Sequence, residues 1–151
     1  MAINIVLVEP EIPNNTGNIG RLSLASGATL HLVKPFGFEL NDKRVKRAGL
    51  DYWKHVDLHI YEDIDSFFEL HKDKSMVFLS SHGKKNYTEI EVAENLFIVF
   101  GKESKGLGNE LRNKYFERLY SIPIVSNHVR SLNLANAVSI VVYSVISRMN
   151  T

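Results

Sequence analysis

Three separated stretches of the chain hold polar and glycine-rich residues at spacings that can do chemistry. The first is Pro10-Glu11-Ile12-Pro13-Asn14-Asn15-Thr16-Gly17-Asn18-Ile19-Gly20-Arg21. The second is Phe100-Gly101-Lys102-Glu103-Ser104-Lys105-Gly106-Leu107, and the third joins Ile122-Pro123 to Ser131-Leu132-Asn133-Leu134-Ala135-Asn136-Ala137. Each follows an apolar, strand-like run and leads into a helix, the arrangement by which α/β proteins build a ligand crevice at the carboxyl ends of their strands. The three loops are therefore expected to converge on one site.

The glycine loop excludes two familiar chemistries. Gly101 and Gly106 have the spacing of a phosphate loop, but Leu107-Gly108 stand where that motif needs Lys and Ser/Thr to hold phosphate and magnesium. No G-x-G-x-x-G occurs in the chain, so a dinucleotide fingerprint is absent too. Two readings of the glycines remain: a tight turn with no further role, or a strand end that lets the backbone approach a flat ligand beside the Glu103 carboxylate. Ser80, Ser81 and His82 suggest a hydrolase, yet no G-x-S-x-G elbow accompanies them, and His82 reads as a loop histidine. There is no cysteine and no spaced histidine cluster, so no metal site is expected.

Asn14, Asn18 and Asn133 offer uncharged amides that can orient a hydroxyl or a carboxylate, although Asn also serves turns and caps. The run Lys43-Arg44-Val45-Lys46-Arg47 puts four cations in five residues, with Tyr52 and Trp53 close behind. Such a run is often only a solvated face. Alternatively it is a nucleic-acid surface in which Lys43, Arg44, Lys46 and Arg47 meet phosphates and Tyr52 or Trp53 stacks a base.

The elements that must hold these residues alternate along the chain. Ile3 to Val8 reads as a strand covered on both faces. Thr16 is expected to cap a helix from about Gly17 to Ser26, stopped by Gly27. Strands follow at 29–33, 58–61, 76–79, 96–100 and 119–124, with a loop from Ser80 to Tyr87. Helices are expected at 42–48, at 63–71 (burying Ile64, Phe67, Phe68 and Leu70), at 108–115 and at 133–149. On the last helix Leu134, Ala137, Val138, Val141, Val142, Val145, Ile146 and Met149 form one apolar stripe. Strand–helix alternation with short connections predicts an α/β fold, a parallel sheet with helices on both faces.

Composition agrees with that fold. A chain of 151 residues, 44% hydrophobic and 23% charged, matches one globular domain, here residues 1–151. A net charge of +1 means any nucleic-acid surface must be a local patch. No apolar run reaches the ~20 residues that span a bilayer, and the first residues run straight into a strand without a basic leader. A soluble cytoplasmic protein with no membrane association is expected.

The order and wording of the three motifs resemble those of the SPOUT methyltransferases, most closely the TrmL (YibK-like) branch, from Ile3 to about Arg148. The resemblance implies 2′-O-methylation of the tRNA wobble nucleotide, position 34, as cytidine or modified uridine in the anticodon stem-loop of leucine tRNAs. It implies S-adenosylmethionine as methyl donor with no metal, and a C-terminal trefoil knot in place of the unknotted threading that general rules favour. It places Leu79, Gly101, Glu103, Gly106, Ile122, Ser131 and Leu132 around the donor, with Arg21 and Asn133 as catalytic residues. It assigns Asn14, Asn18, Lys43, Arg44, Lys46, Arg47, Tyr52 and Arg130 to the RNA.

A guanidinium is a poor general base, so Arg21 is expected to grip a phosphate and polarise the 2′-hydroxyl. The resemblance also implies a homodimer, to which Ile140 and Tyr143, apolar but off the core stripe, would contribute. Two alternatives stay open. One is the same chemistry on another RNA such as rRNA, the other a non-catalytic RNA-binding module of the same fold.

Overall fold

The computed structural model describes residues 2–149, apart from the side chains of Lys46, Ala48, Gly49, Leu50 and Asp51. Among them seven strands form one sheet: β1 (Ile3–Val8), β2 (Thr29–Val33), β3 (Leu58–Tyr61), β4 (Met76–Leu79), β5 (Lys85–Asn86), β6 (Leu96–Phe100) and β7 (Leu119–Ser121). Their order is β3-β2-β1-β6-β4-β7-β5, and the pairings are parallel. The helices are α1 (Pro13–Ser26), α2 (Lys43–Gly49), α3 (Ile64–His71), α4 (Asn109–Lys114) and α5 (Leu134–Met149), and a 3-10 segment, Leu50–His55, follows α2.

Side chains alternate between the two faces of the sheet with the period of two that a pleated strand imposes. Ile5, Leu7, Leu30, Leu32, Ile98 and Phe100 face α1 and α5, where they meet Ile19, Val138, Val141, Val142 and Val145. Val6, Val8, Val33, Phe78, Phe97 and Val99 face the other way, onto Phe67 of α3 and Leu111 of α4. The central strands β1 and β6 are buried along their whole length. That explains why they read in sequence as continuous apolar runs. The expected α/β architecture is thus present.

A polar chain crosses the second face. His31 Nε2 lies 2.9 Å from Asn4 Oδ1, His31 Nδ1 lies 2.8 Å from the Tyr61 hydroxyl, and that hydroxyl lies 3.0 Å from His71 Nε2. Asn4 Oδ1 can only accept, so His31 donates from Nε2 and accepts at Nδ1 from Tyr61, which in turn accepts from His71. Burial holds the His31 imidazole neutral and pushes its pKa down to about 4.

Several expectations need correction. Helix α1 begins at Pro13, not Gly17, and Thr16 does not cap it. Proline at the first helical position is already set for the turn, and the acceptors for the preceding amides come from Glu103, 91 and 92 positions away. Thr16 is instead buried within the helix, its hydroxyl without a hydrogen-bond partner among the described residues. Leu70, expected in the core, is 67% exposed at the end of α3. The 80–87 loop contains β5, too short to show a period, and β7 stops at Ser121, where Ile122 and Ile124 turn into a crevice.

Candidate functional site

The carboxyl ends of β4 and β6, the segment after β7 and the start of α1 enclose a crevice of about 520 Å³. Leu79, Phe100, Ile122, Ile124 and Leu134 supply an apolar slot, and Lys105, Arg112, Arg130 and Asn133 stand among its polar residues. Every residue expected around a methyl donor lines this space: Leu79, Gly101, Glu103, Gly106, Ile122, Ser131 and Leu132. Arg130 and Asn133 join them.

The glycine loop is a closed turn. Lys102 N–H donates to Gly106 O at 3.1 Å and Gly106 N–H donates to Lys102 O at 2.8 Å. A Cβ at Gly101 would lie 2.0 Å from the Gly106 carbonyl carbon and 2.2 Å from Leu107 N, so only glycine lets the strand end meet the returning loop.

Glu103 lines the crevice, but both of its oxygens are engaged. Oε1 accepts from Glu11 N–H at 2.8 Å, and Oε2 accepts from Ile12 N–H at 2.9 Å and from Asn15 Nδ2 at 3.1 Å. Asn15 Oδ1 in turn accepts from Asn133 Nδ2 at 3.1 Å. One chain of hydrogen bonds therefore ties the three motifs together, with Asn15 at its centre. Asn133 also caps α5, accepting from Asn136 N–H at 3.1 Å.

The sequence singles out Asn14 and Asn18 but not Asn15. Once α1 starts at Pro13, residues 15, 19 and 23 fall on its buried stripe, while Asn14, Asn18 and Arg21, at spacings of four and three, share an exposed one. The late helix start expected from Thr16 hides this register. Arg112 also escapes a reading of the sequence, having no local pattern to mark it.

Arg21 does not line the crevice. It sits about 9 Å along the α1 axis from Asn15, at 1.5 Å per residue, with its guanidinium carbon 5.4 Å from the centre of the Tyr52 ring. Tyr52 is 47% exposed, so of the two aromatics expected to stack a base it is the one left open, and it also supports Arg21, whereas Trp53 packs against Gly20. Packing brings them together: a Cβ at Gly20 would lie 2.2 Å from the Trp53 ring, and that contact presses the 50–55 segment onto α1.

Of the basic run, Lys43 and Arg47 are exposed. Arg44 is committed to Asp42, with Nε at 3.2 Å and Nη2 at 3.0 Å from its carboxylate oxygens, which raises the pKa of Arg44 and lowers that of Asp42. The Lys46 side chain lies outside the described residues. His82 does line the crevice, which its place in the 80–87 loop explains.

No group of three or more His, Asp or Glu that could hold a metal ion occurs among the described residues, and none of their helices is long and apolar enough to cross a membrane.

Residues 2–143 match the SpoU rRNA Methylase family. The tRNA (cytidine(34)-2'-O)-methyltransferase of Saccharophagus degradans is 43% identical over 141 residues, covering 93% of this chain and 91% of its own. A structure solved to give insight into the 2-OH methylation of C/U34 on tRNA superposes with a TM-score of 0.93 at 39% identity, over 99% of this chain and 97% of that one. The SpoU methyltransferase AviRb of Streptomyces viridochromogenes, in complex with AdoMet, shares the fold at a TM-score of 0.88 but only 20% identity, over 99% of this chain and 58% of that one.

Proposed function

The chain belongs to the SpoU rRNA Methylase family, and on that premise we propose that it transfers a methyl group from S-adenosylmethionine to the ribose 2′-hydroxyl of the tRNA wobble nucleotide. The observation that carries the reading is the convergence of three distant motifs on one crevice through Glu103, Asn15 and Asn133. Relatives alike over nearly the full chain, named for position 34 of tRNA, favour tRNA over rRNA. Leucine tRNAs, with cytidine or modified uridine at that position, are the substrates we assign.

The crevice suits the donor. Leu79, Phe100, Ile122 and Leu134 form a slot for a flat adenine, the 101–106 loop brings backbone against it, and Ser131, Leu132 and Asn133 offer polar groups to its amino-acid end. When bound, the sulfonium supplies an electrophilic methyl group. The protein then has only to hold the ribose hydroxyl in line and help its proton leave. Arg21, on the exposed stripe with Asn14 and Asn18, grips the phosphate next to the target ribose and polarises the hydroxyl. Lys43, Arg47 and the rest of the basic run hold the flanking backbone, with Tyr52 bracing Arg21.

The chain acts as one cytoplasmic SPOUT domain and as a homodimer in which the exposed Ile140 and Tyr143 of α5 pack against a second copy. Strand order favours a trefoil knot. β7 sits between β4 and β5 and α5 packs on the face that holds α1, the placement that passage of the C-terminal segment through an earlier loop would produce. Arg148, near the end of α5, donates to Ile90 O in the connection from β5 to β6, which ties the end of the chain to that segment.

Calorimetry tests the donor site: S-adenosylhomocysteine should bind in the presence of EDTA. Arg21→Ala should keep that binding while methyl transfer to tRNA is abolished, and Arg21→Lys should not restore it, because the two-pronged grip is lost. An active Arg21→Ala protein would return Arg21 to an ordinary surface residue.

A further inference from the structure

Two acidic residues beside the first motif, Glu9 and Glu11, have no part in the chemistry above, yet both reach across to the glycine loop. Glu9 Oε1 accepts from Lys102 Nζ at 2.9 Å. Glu11 Oε1 accepts from Ser104 N–H at 2.8 Å, and its Oε2 accepts from Ser104 Oγ at 3.0 Å. In the opposite direction Glu103 receives the amides of Glu11 and Ile12. Each segment thus inserts a carboxylate into the backbone of the other.

The crossed pair has a mechanical consequence. The 101–106 loop is closed by its own two hydrogen bonds, so Ser104 cannot move without the loop, and Ile12 O accepts from the first amides of α1, so Glu11 and Ile12 cannot move without that helix. Charge-assisted bonds to backbone N–H groups are short and directional. Glu11 itself does not line the crevice.

We propose that Glu11 is a positioning residue. It fixes the donor-side loop against the start of α1 and so sets where Arg21, two turns along the same helix, stands relative to the methyl group. The proposal rests on the methyltransferase reading and adds to it a residue that touches neither donor nor RNA. Its signature is a split between binding and turnover, because an in-line transfer is far more sensitive to misplacement than adenine binding is.

The test uses the full chain, S-adenosylhomocysteine, and total tRNA from cells lacking the protein. Glu11→Gln keeps one acceptor for the Ser104 amide, and Glu11→Ala keeps none. We expect kcat to fall roughly ten-fold in Glu11→Ala and less in Glu11→Gln, with S-adenosylhomocysteine affinity changed less than about three-fold. Amide exchange at Ser104, Glu11 and Ile12 should quicken in both, a readout that needs no activity. Ser104→Ala, which spares the amide, should lower kcat modestly and non-additively with Glu11→Gln.

Unchanged kcat and unchanged exchange in Glu11→Ala would overturn the proposal while leaving the methyltransferase reading intact. So would a loss of S-adenosylhomocysteine affinity equal to the loss of kcat, since Glu11 would then serve only the donor loop. Failure of the wild-type protein to methylate would reject the parent reading, and with unchanged exchange in Glu11→Ala the positioning role of Glu11 as well.

Discussion

Replacing Gly101 by alanine should separate space from backbone conformation as the reason for glycine in the second motif. The added Cβ would stand 2.0 Å from the Gly106 carbonyl carbon, 2.2 Å from Leu107 N and 2.4 Å from Gly106 O. All three are backbone atoms, so no side chain can swing away. To reach even a tight 3.0 Å contact the two limbs must part by about 1 Å, which strains the paired bonds between Lys102 and Gly106. Overpacking of this kind costs about 1–3 kcal/mol, and for a domain of this size each kcal/mol lowers Tm by roughly 2–4 °C. Donor binding should suffer more than stability, since the same limbs line the crevice.

The control is Gly106→Ala. A Cβ there meets nothing within 4 Å, and only its φ of +64° is unfavourable, a cost of about 1–2 kcal/mol. Calorimetry with S-adenosylhomocysteine and thermal melts of both variants decide the matter. Affinity should drop by ten-fold or more in Gly101→Ala and by less in Gly106→Ala. Wild-type affinity in Gly101→Ala would refute the close approach as the reason for glycine.

Other parts of the molecule yield further expected outcomes. Gly20→Ala should push Trp53 off α1, displacing the 50–55 segment and Tyr52, so tRNA binding measured by filter retention should weaken while S-adenosylhomocysteine affinity stays near wild type. Alanine at Lys43, Arg44, Lys46 and Arg47 should flatten the salt dependence of tRNA binding by a slope of roughly 0.7 for each phosphate no longer neutralised, with Arg44 contributing least because Asp42 already holds it. Stability should fall with pH: the unfolded chain protonates His31 near its ordinary value of 6.5 whereas the folded chain resists until about 4, so the fold is fully stable above pH 6.5 and loses on the order of 2–3 kcal/mol between pH 6.5 and 4. His31→Gln should give a flatter dependence of Tm on pH over that window. Tyr143→Asp should shift sedimentation from about twice the 17.2 kDa chain mass towards monomer, and a wild-type protein that sediments as a monomer would contradict the dimer.

What the sequence disclosed, it disclosed through local regularities. β1 and β6 were legible because a strand buried on both faces is apolar throughout, and α5 because its four buried valines repeat at helical spacing. The residues of the crevice were legible because three motifs resemble a known family, and the structure gathers their expected donor-side residues around one cavity. The start of α1 was not legible. The carboxylate that receives the amides before its first turn belongs to Glu103, and nothing near Pro13 announces it. That same long-range contact concealed Asn15, whose inward register appears only once the helix begins ahead of Thr16, at Pro13. Arg44 looked like one of four equivalent cations until its fork onto Asp42 was seen.

The most direct test of wobble 2′-O-methylation uses an anticodon stem-loop of a leucine tRNA, S-adenosylmethionine and the purified protein, with the product mapped by mass spectrometry. A single methyl group should appear on the ribose of the first anticodon nucleotide. The same stem-loop with 2′-deoxyribose at that one position should bind but gain no methyl group. A methyl on a base, transfer to the deoxyribose substrate, or transfer to ribosomal RNA and not to tRNA would contradict it.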